Sequence, residues 1–173
     1  GPVGFTPLEY LLTQFRVMVT YLRLTFLPIH QNLDYDYPIL KSLIDPSFLV
    51  SLLLLIIILI MAQRLFSKYR LISFSIFWFF LTLLPESSII PIRDVIFEHR
   101  LYLPMVGFSL FLVSSLYELL KDKNLKVMTT LLLVLVVCYS VLTYRRNLVW
   151  RDEFALWEDV IRKSPQKARA YND

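Results

Sequence analysis

The sequence predicts an all-α fold: a polytopic helical membrane protein of about four transmembrane helices and one amphipathic helix, leading into a helical repeat. Three observations carry that prediction. First, Pro46 to Gln63 contains no charged residue and is mostly Leu and Ile, long enough for a helix to cross a bilayer core of about 30 Å at 1.5 Å per residue. Second, three further runs, Leu71–Pro85, Leu101–Tyr117 and Val127–Tyr144, repeat the pattern between charged boundaries such as Arg70, Glu86, Arg100, Glu118, Lys126 and Arg145. Third, these runs are continuous rather than alternating, so helices satisfy their backbone groups in lipid and strands of a barrel do not fit. A hydrophobic fraction of 57% with mean hydropathy +0.58 excludes an ordinary soluble domain.

Residues 8–27 are expected to form an amphipathic helix. Glu9, Thr13, Arg16, Thr20 and Arg23 fall on one side at three- and four-residue spacing, with Leu8, Leu11, Leu12, Phe15, Val19, Leu22 and Phe26 opposite. Such a helix either lies in the membrane interface, the reading preferred here, or spans with its polar stripe turned to a cavity. Pro28 ends it, and Asn32 to Pro38 is turn-rich. Spans follow at about 46–63, 71–85, 101–120 and 126–144. Pro104 falls in the first turns of the third, where it is tolerated or kinks the helix slightly. In the tail Asp152 caps a helix with Phe154, Trp157 and Ile161 on one face; Pro165 stops it, and 167–172 reads as a new helix.

Charge sets a topology. The net charge is +4. Arg64, Lys68 and Arg70 follow the first span without an acid, and Lys121, Lys123 and Lys126 against Asp122 precede the last. By the positive-inside rule both loops face the cytoplasm. Loops 28–47 and 85–100 and the C-terminal tail then lie on the periplasmic or lumenal side, although Arg145 and Arg146 oppose export of the tail. The absence of an Asn-x-Ser/Thr site leans toward a bacterial inner membrane, with the endoplasmic reticulum as the alternative. Cys138 is the lone cysteine and lies in the last span, so no internal disulfide forms.

The candidate chemistry sits at the polar interruptions. Glu98, His99 and Arg100 place an acid, a base and a fixed cation at the mouth of a span, suited to a lipid phosphate. The bland reading is a juxtamembrane cap with snorkelling cations. Arg16 and Arg23, two turns apart on one face, are a second candidate pair for a phosphate, against simple snorkelling to head groups. The acids of Asp34-Tyr35-Asp36 are too few for a metal site, and no nucleophile–histidine–acid set, nucleotide cradle or element for reading nucleic acid occurs. No cofactor is evident.

Three stretches together resemble one family, the transmembrane and tetratricopeptide-repeat-containing glycosyltransferases. They are Tyr21-Leu22-Arg23-Leu24-Thr25-Phe26-Leu27-Pro28 with Leu33-Asp34-Tyr35-Asp36-Tyr37; Glu98-His99-Arg100-Leu101-Tyr102-Leu103-Pro104-Met105-Val106-Gly107-Phe108; and Arg146-Asn147 with Trp150, Trp157, Pro165 and Lys167-Ala168-Arg169-Ala170-Tyr171-Asn172. The second is similar to a Glu-Arg-x-Leu-Tyr-x-Pro-Ser-x-Gly-Phe motif, with His99 set before Arg100 and Met105 in place of Ser. The resemblance implies a C-type enzyme that moves a sugar, often mannose, from a polyprenyl-phosphate carrier to a protein acceptor selected by its tetratricopeptide repeats. On it, residues 1–147 are the C-terminal part of the membrane domain and 148–173 an outer linker helix and the start of the repeats. Asp36 and Tyr37 match an outer-loop motif, and Glu98 and Arg100 a membrane-surface motif that would contact the carrier. The family's catalytic acid belongs to a first outer loop that this chain does not match, so catalytic residues are unassigned and the chain alone is expected to be inactive. A divalent metal in the full-length enzyme stays open. The rival readings are a non-enzymatic anchor for a repeat scaffold and an O-antigen-ligase or polymerase type of membrane enzyme.

Overall fold

The structure, a computed structural model, describes residues 4–85, 87, 92, 94–121 and 125–165. Among these every regular element is helical: α1 (Pro7–Phe26), α2 (Pro46–Leu65), α3 (Arg70–Leu83), a 3-10 turn (Glu98–Leu101), α4 (Pro104–Leu120), α5 (Leu125–Val149) and α6 (Glu153–Lys163). The chain divides into two compact units, Gly1–Gln31 with Tyr37–Phe111, and Asn32–Asp36 with Leu112–Asp173.

In the first unit α1 starts at a full capping box: Thr6 Oγ1 accepts the Glu9 amide at 3.2 Å, and the Glu9 carboxylate accepts the Thr6 amide at 2.7 Å. The helix does not bury its apolar stripe alone. Its covered side carries Tyr10, Thr13, Gln14, Val17, Tyr21, Leu24 and Thr25, while Leu8 and Phe26 of the expected apolar face are exposed. The polar members are tolerated because their groups are bonded, as when the Thr13 and Thr25 hydroxyls donate to the Glu9 and Tyr21 carbonyls at 2.7 Å each. Helix α1 therefore packs within the protein along α2 and the 3-10 turn. Its seam with α2 is closed by Leu12, Leu40 and Phe48, flanked by Phe15 and Leu52. Phe15 meets Phe48 edge-on at 5.4 Å.

Asp45 caps α2 and Pro46 opens it, the expected grammar of a helix start. Twenty residues long, α2 is long and apolar enough to cross a membrane. Ser73 Oγ of α3 donates to the Ala62 carbonyl of α2 at 2.7 Å and pins the two helices. Of the four expected spans, α2 and α5 reach membrane-crossing length; α3 and α4 are shorter apolar helices of 14 and 17 residues. The third run shortens because Glu98–Leu101 winds as a 3-10 turn and Pro104 begins α4 instead of kinking it.

Helix α4 meets α3 at Gly107. A Cβ there would stand 2.7 Å from the Ser75 carbonyl oxygen, 2.9 Å from Trp78 Cδ1 and 3.2 Å from the Phe79 nitrogen. Only glycine allows that approach. Trp78 Nε1 donates to the Leu103 carbonyl at 3.2 Å, and Phe26 meets Phe108 edge-on at 4.9 Å.

In the second unit α5 runs for 25 residues with none of them buried, which suits a helix surrounded by lipid. It extends past the expected end at 144, carrying Arg145, Arg146 and Asn147 in helical form. Asp152 caps α6 as expected and the helix stops at Lys163, before Pro165. The expected apolar face of α6 is covered only in part: Trp157 and Ile161 are half-buried and Phe154 is exposed, whereas Asp159 and Val160 are buried. The reason is electrostatic, since Asp159 gathers Arg146 at 2.9 Å, Lys163 at 2.6 Å and Arg162 at 3.2 Å. The helix restart expected at 167–172, together with Glu86, Arg93, Asp122 and Lys123, lies outside the described residues.

Candidate functional site

The expected Glu-His-Arg cluster occupies the 3-10 turn that follows an irregular segment ending at Phe97. That segment stays in place because α1 grips its backbone. Gln14 Nε2 donates to the Val95 carbonyl at 3.1 Å, and the buried Tyr21 hydroxyl both accepts from the Phe97 amide and donates to its carbonyl, each at 3.0 Å. Gln14 and Tyr21 are seven residues apart, two turns on one face of α1, and so both reach the strap. Nothing in the sequence marks either as a fastening, because an uncharged amide and a phenol in an apolar helix give no charge signal.

Arg100 turns back onto the same strap. Its guanidinium donates to the Val95 carbonyl at 3.3 Å and the Asp94 carbonyl at 3.2 Å, and stacks 5.4 Å over the Phe97 ring. Val95 oxygen thus receives donors from both Gln14 and Arg100. His99 is exposed and lies against Phe97, ring centres 4.9 Å apart. Glu98 is half-buried. The turn presents His99 outward while Arg100 shapes the loop from within.

Arg16 and Arg23 take different partners. Arg23 Nη1 donates to the Ile29 carbonyl at 3.2 Å, whereas Arg16 stacks 5.3 Å over the Tyr37 ring. The Tyr37 hydroxyl lies 2.9 Å from Thr20 Oγ1, one turn along α1 from Arg16. Arg16 and Tyr37, far apart in sequence, therefore form a single half-buried cation–aromatic pair. Leu40, three residues on, donates its amide to Thr13 Oγ1 at 3.0 Å and fixes the loop's return to α2. The Asp45 carboxyl is held below its ordinary value chiefly by the Ser47 hydroxyl and amide.

In the second unit Asp36 is exposed, but its backbone amide donates to the buried Ser164 Oγ at 3.1 Å. Asp34 is buried. Near α6, burial pushes the Asp159 carboxyl up, yet hydrogen bonds from Lys163, Arg146 and Arg162 outweigh it and leave the group below its ordinary value. A cavity of about 490 Å³ beside this cluster is lined by Val149, Ala155, Glu158, Asp159, Ile161 and Arg162. Among the described residues no three His, Cys, Asp or Glu side chains converge as metal ligands would.

Comparison with known proteins finds two relatives, both from Drosophila melanogaster. The protein O-mannosyl-transferase Tmtc3 is 28% identical over 100 residues, covering 56% of this chain and 11% of its own length. The protein O-mannosyl-transferase Tmtc2 is 37% identical over 92 residues, covering 51% and 10%. The chain thus spans about a tenth of the length of the curated relatives it matches. No family model matches it, and no solved structure does.

Proposed function

We propose that this chain is the C-terminal membrane part of a glycosyltransferase that transfers a hexose, mannose by analogy with its relatives, from a polyprenyl-phosphate carrier to a protein acceptor outside the cytoplasm. The observation that carries this reading is the similarity of half the chain to two protein O-mannosyl-transferases. Helices α2 and α5, long and apolar enough to cross a bilayer, support the membrane setting. On this reading α3 and α4 complete four spans, aided by the aromatic and apolar residues that flank them. Loops 28–47 and 85–100 and the tail face the lumen, and residues after 148 open the tetratricopeptide repeats that present the acceptor. Because both relatives are animal proteins, the endoplasmic reticulum is preferred to a bacterial inner membrane.

The carrier phosphate would meet Arg16 on its Tyr37 platform, with Glu98 and His99 at the mouth of α4. An arginine held over an aromatic ring is pre-organised for phosphate, losing less rotamer freedom on binding than a free side chain. Arg100 would serve by keeping the strap in shape. The chemical step belongs to residues outside this chain.

The test uses the full-length protein in membranes. Radiolabelled polyprenyl-phosphate mannose is expected to label a protein acceptor, and a nucleotide-linked mannose is not. Failure of the full-length protein to transfer sugar from any polyprenyl-phosphate donor would refute the reading in favour of a membrane anchor for a repeat scaffold.

A further inference from the structure

We propose that Ser164 is a positioning residue that ties the acidic turn 32–36 to the C-terminal end of α6, so that the chain leaving α6 governs the conformation of that turn. The consequence for catalysis rests on the glycosyltransferase reading above; the tie itself does not.

The geometry is that of a single oxygen gathering a loop from far along the chain. Ser164 Oγ, 2% exposed, accepts from Asn32 Nδ2 at 2.8 Å and from the Asp36 amide at 3.1 Å. A serine oxygen has two acceptor sites, and the turn uses both. Asn32 Nδ2 also donates to the Asp34 carbonyl at 3.0 Å, and the Asn32 amide donates to the Tyr35 hydroxyl at 3.1 Å. The five residues are thereby closed on themselves and hung on α6. Asn32 and Asp34 are each 4% exposed, so water does not readily replace these bonds. Taking away the acceptor would remove a partner from the buried Asn32 Nδ2 and from the part-buried Asp36 amide, and at the buried donor that loss exceeds the bond's net worth.

The hook itself is fixed. Ser164 caps α6 through its amide on the Val160 carbonyl at 2.7 Å, and one turn earlier Asp159 anchors α6 to α5 through Arg146. Motion at the end of α6 must therefore either break the Asp159 cluster or move the turn. A polar grip of this kind specifies orientation more than it adds stability. Asp36, the outer-loop residue of the family motif, is the residue whose backbone it orients. In the enzyme, whatever loads the segment beyond α6 would be felt at Asp36.

Hydrogen exchange read by mass spectrometry on the full-length protein in lipid nanodiscs tests the tie without reference to activity. In S164A and N32A, the peptide covering 32–37 is expected to exchange roughly fivefold to tenfold faster, as loss of about one net hydrogen bond implies, with α2 and α5 peptides unchanged. D159N, which touches no residue of the turn in any bond described above, is expected to loosen α6 and the 32–37 peptide together. Wild-type exchange at 32–37 in S164A, acceleration spread over the whole protein, or a loosened α6 with an unchanged turn in D159N would each overturn the proposal. Mannosyl transfer from polyprenyl-phosphate mannose is measured in parallel. S164A is expected to lower kcat on the order of tenfold, within the ~100-fold that a 1 Å misplacement costs, with the carrier KM unchanged. Wild-type kcat in S164A overturns the catalytic consequence. No transfer by the wild type, with exchange as expected, overturns the glycosyltransferase reading and leaves the tie standing.

Discussion

Tyr21 carries two hydrogen bonds on one buried oxygen, to the amide and the carbonyl of Phe97. Tyr21→Phe keeps the ring and removes both, so the strap loses its grip at a cost of about 1–3 kcal/mol for the buried groups left unmet. A thermal melt in detergent should fall accordingly, with faster exchange at 94–100. Arg100 poses a different question, because its charge and its fork act separately. If charge alone mattered, Arg100→Lys would rescue Arg100→Ala. The structure predicts that it does not, since an ammonium cannot bridge the Asp94 and Val95 carbonyls in the plane that also stacks on Phe97. Donor affinity of the two full-length variants measures this, and rescue by lysine would return Arg100 to direct phosphate contact. Asp159 supplies the pH dependence. Its folded pKa lies below the ordinary 3.8, so its cluster stabilises α6 fully above that value and weakens as pH falls through the folded one. Protection of α6, with the intrinsic pH dependence of exchange divided out, should therefore be flat through neutral pH and fall only in strong acid, a fall that D159N abolishes.

Among the elements, the pairing of α3 and α4 turns on Gly107. Gly107→Ala would gain up to about 1 kcal/mol of helix propensity. It would also place a methyl 2.7 Å from the Ser75 backbone oxygen, which cannot swing aside as a side chain can. Overpacking of this kind costs about 1–3 kcal/mol, so sterics win and the net effect is destabilising. Gly107→Leu should be worse still, with loss of folded protein by size-exclusion chromatography. The same contact explains part of the Glu98–Phe108 motif. Leu101, Pro104, Gly107 and Phe108 are its buried or close-packed members, so those positions specify how α4 starts and where it crosses α3. His99 is left to face outward, with Glu98 half-buried beside it. Spacing alone could not separate the two groups, because a motif residue that packs and one that binds look alike in a single sequence.

For the whole molecule, lipid is the missing solvent. Helix α5 buries none of its residues and α2 only a few, an arrangement that water would penalise and a bilayer core would not. Val136→Asp, in the exposed middle of α5, should cost about 2.5–3.5 kcal/mol of insertion free energy. A drop in the carbonate-resistant fraction checks it; unchanged extraction would remove α5 from the membrane. Helical class, the start of α2 at Pro46, the cap at Asp152 and the stop before Pro165 were all legible in the sequence. Each depends on composition or on chemistry within four residues. Which side of α1 is buried was not legible, because Gln14, Thr13 and Tyr21 become acceptable core residues only when partners such as Val95, Leu40 and Phe97 arrive from far along the chain. Nor was the hold of Ser164 on Asn32 and Asp36, a bond between positions more than a hundred residues apart. The sequence by itself determined that this is a chain of apolar helices punctuated by polar turns, since hydropathy and capping are local quantities. Only the tertiary structure decided which polar groups serve as internal fastenings and which remain outward, because a hydrogen bond is chosen by what lies within 3 Å, not by what lies next in line.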